Sequence, residues 1–257
     1  MWERELEVAR HAARAAGETL KPLFGRIDHV TKKGRTDLVT EADFESERII
    51  MGIIRRSFPQ DGFLAEETGE HSHGASRVWF IDPLDGTVNF AHAFPFFAVS
   101  IGLQVNGDAV LGVVFNPYMD EFFEAAKGSG AFLNGKAIHV SSTSDLIDSL
   151  LAVGFPYTLH LDPRRVMDHL KKMAVRAQAI RRPGSAALDL CYVAAGKLDG
   201  YWEEGLKPWD TAGGMIIVRE AGGIVSDYDG NPFSPDKGTI VASNPSIHAA
   251  MLAVLKA

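Results

Sequence analysis

Cysteine is almost absent from this sequence, which contains a single one, Cys191, among 257 residues. One cysteine cannot form a disulfide within the chain, so a disulfide-stabilised secreted scaffold is excluded and a cytoplasmic location is expected. Long apolar runs are also missing. The longest candidate, 90–105, is interrupted by His92 and Pro95, whereas a membrane-spanning helix needs about 20 predominantly apolar residues. We therefore expect no membrane partner.

Positive charge is scarce as well. The chain has 26 lysines and arginines against 33 aspartates and glutamates, which gives a formal net charge of −7. An acidic chain is a poor general binder of polyanions, so we do not expect nucleic acid as a partner. If the protein handles phosphate, it needs a local device such as bound metal ions or a helix N-terminus. The hydrophobic fraction of 46% is that of an ordinary globular protein.

The pattern of apolar residues predicts an α+β fold with two different halves. Apolar residues at steps of three and four predict helices over 6–20 and 41–56, the second beginning at a capping box formed by Thr40 and Asp43. From Arg77 the period becomes two. Strands are predicted over 78–81, 97–105, 110–115 and 121–125. Because Asn106-Gly107 predicts a tight hairpin, we expect this sheet to be antiparallel.

After residue 141 the pattern changes again. Short apolar runs are predicted to be strands: 150–155, 179–181, 200–202, 223–225 and 239–242. Helices are predicted between and after them: 163–176, 185–195, 208–221 and 244–255. This alternation is typical of helices packed on a mixed sheet. We therefore expect an N-terminal half, 1–141, and a C-terminal half, 142–257, packed as one unit.

The strongest chemical signal lies where a predicted strand runs into two carboxylates, Asp82 and Asp85, three residues apart. Oxygen ligands on a tight turn suit a hard cation such as Mg²⁺. Gly86 and Thr87 follow and could offer backbone N–H groups to an anion, as helix N-termini do. Together these features describe a metal–phosphate site. The alternative is an ordinary turn with solvated aspartates.

Three further acidic segments have simpler interpretations when each is taken alone. Glu66-Glu67 follows an apolar run and could be a solvated loop. Asp43 and Asp210 each lie in the first turn of a predicted helix, where an aspartate often serves only as a cap. The basic segment Lys32–Arg35 is either a loop over a metal site or an exposed turn. One metal site would explain all the acidic clusters together, whereas separate caps and loops need separate explanations.

The combination of these motifs resembles a known family. Asp82-Pro83-Leu84-Asp85-Gly86-Thr87, preceded by Glu66-Glu67 and followed by Trp209-Asp210-Thr211-Ala212-Gly213, is similar to the inositol monophosphatase family. The similarity extends over nearly the whole chain. It implies a layered αβαβα sandwich, a Mg²⁺-dependent and lithium-sensitive phosphatase acting on sugar phosphates, and a homodimer.

The resemblance also implies roles for individual residues. Two to three Mg²⁺ ions would be held by Glu66, Asp82, the Leu84 carbonyl group, Asp85 and Asp210. Water activation would involve Glu66, Thr87, Asp43 and, from nearby, Asp37. Phosphate would bind to the N–H groups of Gly86 and Thr87. The alcohol part of the substrate would face Gly184, Ala186 and Glu203, with Asp85 and Asp210 near its hydroxyl groups. Arg182, just before Gly184, could recognise a second phosphate.

These observations predict a Mg²⁺-dependent phosphatase that hydrolyses myo-inositol monophosphate or a related sugar phosphate by attack of a metal-activated water. The first alternative is a fructose-1,6-bisphosphatase or an enzyme of dual specificity. Histidinol phosphate, nucleotide bisphosphates and NADP are further substrates that the resemblance leaves open. The second alternative is a regulatory protein that binds RNA or a transcription partner through the basic stretch 164–182.

Overall fold

The computed structural model describes residues 1–26, 30–35, 37–71 and 74–256. The helices are α1 (Glu3–Leu20), α2 (Glu41–Ser57), α3 (Thr87–Ala91), α4 (Arg164–Ala174), α5 (Ala186–Ala194), α6 (Pro208–Glu220) and α7 (His248–Lys256). The strands of the N-terminal half are β1 (Val30–Lys32), β2 (Leu38–Thr40), β3 (Gly62–Ala65), β4 (Gly69–Glu70), β5 (Arg77–Asp85), β6 (Ala98–Val105), β7 (Asp108–Asn116), β8 (Glu121–Ala126), β9 (Ala131–Leu133) and β10 (Lys136–Ile138). Those of the C-terminal half are β11 (Leu150–Val153), β12 (Ala179–Arg181), β13 (Gly200–Glu204), β14 (Ile224–Ser226) and β15 (Thr239–Ser243).

The first large sheet lies in the N-terminal half. Among the described residues it has eight strands in the order β10-β9-β8-β7-β6-β5-β3-β4. Its pairs are antiparallel as predicted, with one exception, since β3 and β5 run parallel. Strand β4 pairs antiparallel with β3, and β5 runs opposite to β4, so β5 points the same way as β3. Parallel pairing brings the carboxyl ends of β3 and β5 to the same edge of the sheet.

The second large sheet lies in the C-terminal half and is mixed, as predicted. Within the described ranges it has five strands in the order β12-β11-β13-β15-β14. Strand β11 pairs in parallel with β12 and β13, whereas β15 pairs antiparallel with β13 and β14. The mixed sheet that the alternation of strands and helices predicted for this half is therefore present.

Both sheets bury side chains on their two faces. In β7, Val113 packs towards α1 and α2, while its neighbour Val114 belongs to the core that contains α5 and α6. In β13, Tyr201 faces that same central core, while Trp202 faces α4 and α7. The layers are therefore α1 and α2, the first sheet, α5 and α6, the second sheet, and α4 and α7. The predicted αβαβα sandwich is confirmed.

Helix α6 packs very closely against the first sheet. A Cβ atom at Gly112 on β7 would lie 2.2 Å from the carbonyl oxygen of Gly213 on α6, and one at Gly102 would lie 2.8 Å from Ala212. Any larger residue at these positions would push the helix away from the sheet. This contact joins the N-terminal half to the C-terminal half. The division of the chain at residue 141 remains a prediction.

Among the predicted elements, the two largest differences in boundaries are at the end of β5 and at the start of α7. Strand β5 continues through Asp82 to Asp85, with an irregularity in its pairing to β6 between those residues. Helix α7 begins at His248 and not at Asn244, because the Asn244 side chain accepts hydrogen bonds from Ser246 N at 2.9 Å and Ile247 N at 3.2 Å. Across the described ranges, no helix combines the length and apolar character needed to cross a membrane.

Candidate active site

The sequence-predicted site residues meet around one cavity of about 690 Å³ at an edge of the first sheet. Twelve of them line it: Asp37, Glu66, Asp82, Leu84, Asp85, Gly86, Thr87, Arg182, Gly184, Ala186, Glu203 and Asp210. Asp43 lies behind Thr87, with which it forms a hydrogen bond. The cavity draws on both halves of the chain, because its walls come from the ends of β3, β5 and β13 and from the N-termini of α3, α5 and α6.

The parallel pairing of β3 and β5 explains how two distant acidic motifs meet. Ala65 pairs with Ile81 in this register, so Glu66 and Asp82 follow at the same edge of the sheet. The Glu66 N–H group donates to the Ile81 carbonyl oxygen at 3.1 Å, which fixes the two chain ends side by side. Asp82 is almost fully buried, and its Oδ1 accepts a hydrogen bond from Leu84 N at 3.1 Å.

The turn after Asp82 is fixed from two sides. Ser46 on α2 donates a hydrogen bond to the Pro83 carbonyl oxygen at 2.7 Å. Asp85 Oδ2 accepts hydrogen bonds from the Ser185 hydroxyl group and from Ala187 N, the latter at 2.7 Å, at the N-terminus of α5. Because Asp85 and Ser185 come from different halves of the chain, this contact holds the two sides of the cavity together.

Gly86 begins the short helix α3 in a conformation that favours glycine. Its φ is 89°, in the left-handed region. A Cβ atom there would lie 3.0 Å from the Phe96 carbonyl oxygen and 3.3 Å from the Gly184 carbonyl oxygen. A side chain at position 86 would therefore strain the backbone and narrow the space between α3 and the loop at Gly184.

Thr87 and Asp43 are connected as the family resemblance implies. The Thr87 hydroxyl group lies 3.1 Å from Asp43 Oδ1 and 2.9 Å from the Leu84 carbonyl oxygen. Asp43 Oδ2 meanwhile accepts hydrogen bonds from Thr40 N at 2.8 Å and Thr40 Oγ1 at 2.6 Å. The capping box predicted at the start of α2 is thus present, and the same carboxyl group also reaches the cavity wall. For Asp43 the cap and the site contact coexist.

Lys33 lies among the acidic side chains. Its Nζ atom is 3.0 Å from Glu66 Oε1 and 2.5 Å from Glu67 Oε1. Of the two interpretations of the basic segment Lys32–Arg35, the contacts of Lys33 therefore favour a loop at the acidic site. Glu67 and Thr68 are held by a residue that the sequence did not single out, Glu47, whose carboxylate accepts both of their N–H groups at 2.8 and 3.0 Å.

Asp210 and Asp37 complete the acidic wall. Asp210 Oδ2 accepts a hydrogen bond from Lys207 N at 2.7 Å, so it caps α6 and also lines the cavity. The Asp37 carbonyl oxygen accepts hydrogen bonds from Lys33 N and Gly34 N, which closes the turn that carries Lys33. Its carboxylate lines the same cavity.

Burial raises the pKa of every acid in this group. For Asp82 and Asp210 the pKa lies well above its usual range, first because of burial and then because neighbouring carboxylates repel the charge. Burial raises the pKa of Asp85 and of Asp43 to about 6 each. The pKa of Glu66 is also raised by burial, although Lys33 opposes the change. The protein therefore holds several carboxylates in a place where their charges are poorly solvated.

This donor set suits a hard divalent cation. Among the described residues, no three histidine, cysteine, aspartate or glutamate side chains already form a compact metal-binding cluster. Mg²⁺, however, is usually held by one or two carboxylates, with water completing the shell. The carboxylates of Glu66, Asp82, Asp85 and Asp210 and the Leu84 carbonyl group could supply the oxygen ligands, since all five residues line the cavity. A cation would offset the cost of burying these charges, which is the main reason that their pKa values are raised, and would also offset the repulsion at Glu66, Asp82 and Asp210.

The predicted substrate contacts line the same cavity, with Gly184 and Ala186 beside Asp85 and Gly86. Gly184 and Ala186 lie before and at the start of α5, and Glu203 lies near the end of β13. The Arg182 guanidinium group is 5.5 Å from the centre of the Phe155 ring, which also lines the cavity. Burial raises the pKa of Glu203 to about 7. The apolar wall made by Phe155, Tyr157 and Trp209 was not predicted from the sequence.

Asn89 is a further residue that the sequence analysis did not identify. Its Nδ2 atom donates hydrogen bonds to the Phe96 carbonyl oxygen at 2.7 Å and to the Pro183 carbonyl oxygen at 2.9 Å. These contacts join α3 to the loop that carries Gly184. The position of Asn89 two residues after Thr87 was a weak signal, since asparagine is common wherever the chain turns.

Comparison with known proteins identifies the family. The model of the inositol monophosphatase family matches residues 1–257. The chain belongs to the inositol monophosphatase family. An inositol-1-monophosphatase from Synechocystis is 46% identical, over 98% of this chain and 88% of the relative. A protein named Nus factor SuhB from Salmonella typhimurium is 44% identical, over 98% of this chain and 95% of the relative.

The fold comparison agrees with this membership of the inositol monophosphatase family. The crystal structure of extragenic suppressor protein suhB from Bartonella henselae superposes with a TM-score of 0.94 at 41% identity, covering 98% of both chains. The chain is accordingly a phosphatase, and its enzyme class is that of the hydrolases. The resemblance noted from the motifs is confirmed.

Proposed function

We propose that this phosphatase hydrolyses myo-inositol monophosphate or a related sugar phosphate with the help of two to three Mg²⁺ ions. The observation that carries the proposal is the cavity itself. It joins the carboxylates of three distant segments, represented by Glu66, Asp82 and Asp210, to the N-terminus of α3 at Gly86. Carboxylates at one end and N–H groups beside them suit a phosphate group neutralised by metal ions.

The proposed ligands follow from this arrangement. Glu66, Asp82 and the Leu84 carbonyl oxygen would hold one Mg²⁺ ion; Asp82, Asp85 and Asp210 would hold a second; Glu66 with waters would hold a weaker third. When bound, such ions lower the pKa of water and stabilise charge on a transferring phosphoryl group. Uncatalysed hydrolysis of phosphate monoesters is extremely slow, so charge stabilisation of this kind is needed.

The chain's own residues would orient the reaction. The Asp43 carboxylate accepts the hydrogen bond of the Thr87 hydroxyl group, which leaves the oxygen of Thr87 able to accept one from the attacking water. Glu66 would take part in removing the proton from that water, and Asp37 would support the site. As the water oxygen bonds to phosphorus, the ester P–O bond breaks and the alcohol leaves with a proton.

The remaining residues would position the substrate. The N–H groups of Gly86 and Thr87 would bind the phosphate oxygens, and Gly184, Ala186 and Glu203 would face the alcohol. Asp85 and Asp210 would accept hydrogen bonds from its hydroxyl groups. Arg182 favours the alternative substrate class, since a cation that lines the cavity would attract a second phosphate, as in fructose 1,6-bisphosphate.

Phosphate release from a small substrate panel tests the proposal. The panel contains myo-inositol 1-phosphate, fructose 1,6-bisphosphate, histidinol phosphate and NADP, each with Mg²⁺ and with a chelator. We expect the highest kcat/KM for the inositol ester and loss of activity in the chelator. Preference for the bisphosphate would select the alternative. Equal rates with and without metal would refute the assignment of the acidic cluster as a metal site.

A regulatory binding role is the second candidate, and the name Nus factor SuhB of a relative favours it. The basic stretch gives it limited support, because Arg164, Arg165 and Lys172 form ion pairs with nearby acids. Binding of RNA that weakens with salt and survives metal removal would support this role. The homodimer is likewise a proposal, which sedimentation of the purified protein would test.

A further inference from the structure

The carboxyl group of Glu203 is held from behind by a buried tyrosine. Tyr201 and Glu203 are two positions apart on β13, so their side chains project from the same face of the strand. The Tyr201 side chain is fully buried in the core between the two sheets. Its hydroxyl group donates a hydrogen bond to Glu203 Oε2. Glu203 lines the cavity, and Tyr201 therefore fixes a wall of the cavity from the inside.

Gly154 provides the space that this carboxyl group occupies. It follows β11, and its N–H group donates to the Trp202 carbonyl oxygen at 3.2 Å, which places it against β13. A Cβ atom at position 154 would lie 1.7 Å from Glu203 Oε2 and 2.0 Å from Glu203 Cδ. Gly154 is not among the glycines with positive φ. The demand for glycine here therefore comes from the Glu203 carboxylate and not from the backbone conformation.

The two contacts determine which oxygen of the Glu203 carboxylate can accept a further hydrogen bond. A carboxylate has two acceptor oxygens, and Oε2 is used by the Tyr201 hydroxyl group. Oε1 then remains able to accept a hydrogen bond from a hydroxyl group in the cavity. A buried phenol that loses its acceptor pays a desolvation penalty, so Tyr201 also opposes any movement of the carboxylate away from it.

We propose that Tyr201 is a positioning residue which, with the space left by Gly154, makes the cavity selective for phosphate esters whose alcohol carries hydroxyl groups. Tyr201 acts through Glu203 and does not contact the substrate. The inference rests on the proposed function, because it requires a phosphatase that binds its ester in this cavity. It assigns selectivity to a pair of buried residues, Tyr201 and Gly154, that lie outside the metal cluster.

The test compares two esters in the Tyr201→Phe variant with Mg²⁺ present. One ester is myo-inositol 1-phosphate, and the other is phenyl phosphate, whose alcohol carries no further hydroxyl group. We expect the ratio of their kcat/KM values to fall about tenfold, equivalent to 1.4 kcal/mol, chiefly through a higher KM for the inositol ester. The matched control is Tyr192→Phe. The Tyr192 hydroxyl group donates a hydrogen bond of 2.8 Å to Glu121 Oε2, and neither residue lines the cavity. The control should leave the ratio within twofold of wild type.

A second comparison separates positioning from a general loss of structure. In a Glu203→Ala background, the added Tyr201→Phe change should alter the ratio by less than twofold, because the carboxyl group that Tyr201 positions is absent. If it instead lowers the ratio as strongly as in wild type, Tyr201 does not act through Glu203 and the proposal is wrong. Gly154→Ala should lower the ratio too, and its melting curve shows whether it folds. If it does not fold, the Tyr201 comparisons still decide.

The failures of the two proposals are distinguishable. If the wild-type protein hydrolyses neither ester, the proposed function fails, and this inference fails with it. If it hydrolyses both and Tyr201→Phe leaves the ratio within twofold of wild type, the phosphatase survives and only the inference about Tyr201 is overturned.

Discussion

The Thr87 hydroxyl group lies 3.1 Å from Oδ1 of Asp43, a residue 44 positions earlier in the chain. This contact joins the first turn of α2 to the first turn of α3 at the wall of the cavity. The other carboxylate oxygen of Asp43 is bound to Thr40, so the side chain cannot rotate freely. The Thr87 oxygen is thereby held between the Asp43 carboxylate and the Leu84 carbonyl oxygen, which lies 2.9 Å away.

The Thr87→Ala variant should lose turnover with little change in KM. The hydroxyl group is assigned to water activation, which matters in the transition state, whereas the N–H group at position 87 remains to bind phosphate. We expect kcat to fall about 100-fold, the lower end of the contribution of general acid–base catalysis. Thr87→Ser is the control and should restore most of the rate. Steady-state kinetics decide, and an unchanged kcat with a raised KM would make Thr87 a binding residue.

The Asp82→Asn variant should be inactive but folded. Asp82 is proposed to bridge two cations, so one amide would weaken both positions. Burial and the neighbouring carboxylates raise its pKa well above the usual range, so a neutral side chain should not destabilise the metal-free protein. Turnover and melting curves in a chelator check both parts. The bridging role would be contradicted if the variant kept more than about a tenth of the wild-type rate, a loss of only 1.4 kcal/mol. The control is Asp108→Asn, which changes an exposed aspartate that pairs with Lys127.

Local sequence patterns predicted many of the helices and strands, because the causes of these elements are local, whereas the order of the layers was implied by the family resemblance. The spacing of Ile50 and Ile54 predicts the buried face of α2, and Asn106-Gly107 predicts the hairpin between β6 and β7. The parallel pairing of β3 with β5 was not predicted, since strand direction depends on how the intervening chain returns. That pairing is also what places Glu66 beside Asp82.

The residues of the candidate site were predicted from motif spacing and family resemblance. The residues that hold them in place through hydrogen bonds were not predicted. Acidic residues near one another in a motif carry a recognisable signal. By contrast, Ser185 donates a hydrogen bond to Asp85, which lies 100 positions earlier in the sequence. Glu47 on α2 accepts hydrogen bonds from the N–H groups of Glu67 and Thr68, which follow β3. Such contacts depend on tertiary packing. A buried glutamate or a serine at a helix start has many possible partners in sequence, and only the fold selects one.

The Asn89→Ala variant should weaken both stability and substrate binding. Its Nδ2 atom supplies hydrogen bonds to the carbonyl oxygens of Phe96 and Pro183. Leaving such acceptors unpaired costs about 1–3 kcal/mol each, and the loop that carries Gly184 loses its attachment to α3. We expect lower stability to urea and a raised KM. Asn89→Asp, which has no donor to offer, should be at least as damaging. A variant with wild-type stability and kinetics would show that Asn89 does not hold this loop.

The Glu203→Gln and Arg182→Ala variants should change substrate preference in opposite directions. A carboxylate accepts hydrogen bonds from a polyol and repels a second phosphate, whereas a guanidinium group does the reverse. Glu203→Gln should cost inositol-phosphate turnover about 1–3 kcal/mol in transition-state terms and affect fructose 1,6-bisphosphate less. Arg182→Ala should show the opposite ranking, and Arg176→Ala, at an exposed position, serves as the control. Both esters are measured on all variants, and ratios equal to wild type would remove these residues from substrate selection.

The last prediction concerns pH and His248, a buried histidine at the start of α7 that contacts two strands of the second sheet. The His248 ring lies 2.9 Å from Ser226 Oγ through Nε2 and 2.8 Å from Ser243 Oγ through Nδ1. When the ring is neutral, one ring nitrogen donates to a serine oxygen and the other accepts a serine hydroxyl proton. Only one of the two hydroxyl groups can then also donate to the main-chain carbonyl oxygen beside it, of Asp227 or Asn244. Burial lowers the pKa of His248 below its usual value. The folded protein therefore holds this ring neutral at a pH where the unfolded chain already binds a proton.

The sign of the effect follows from that difference in proton binding. Above the unfolded pKa of about 6.5 neither state is protonated, and the contribution to stability is complete. As the pH falls from about 6.5 towards the lower pKa of the folded state, the unfolded chain binds more protons, and the free energy of unfolding decreases by up to 1.4 kcal/mol per pH unit. Burial also lowers the pKa of His169, so the pH dependence of the wild-type stability contains contributions from both histidines.

Urea unfolding of wild type and His248→Asn between pH 7.5 and 5 isolates the contribution of His248. The variant should be less stable at pH 7.5, and the difference between the two proteins should shrink as the pH falls. A difference that stays constant with pH would show that His248 titrates alike in the folded and unfolded states.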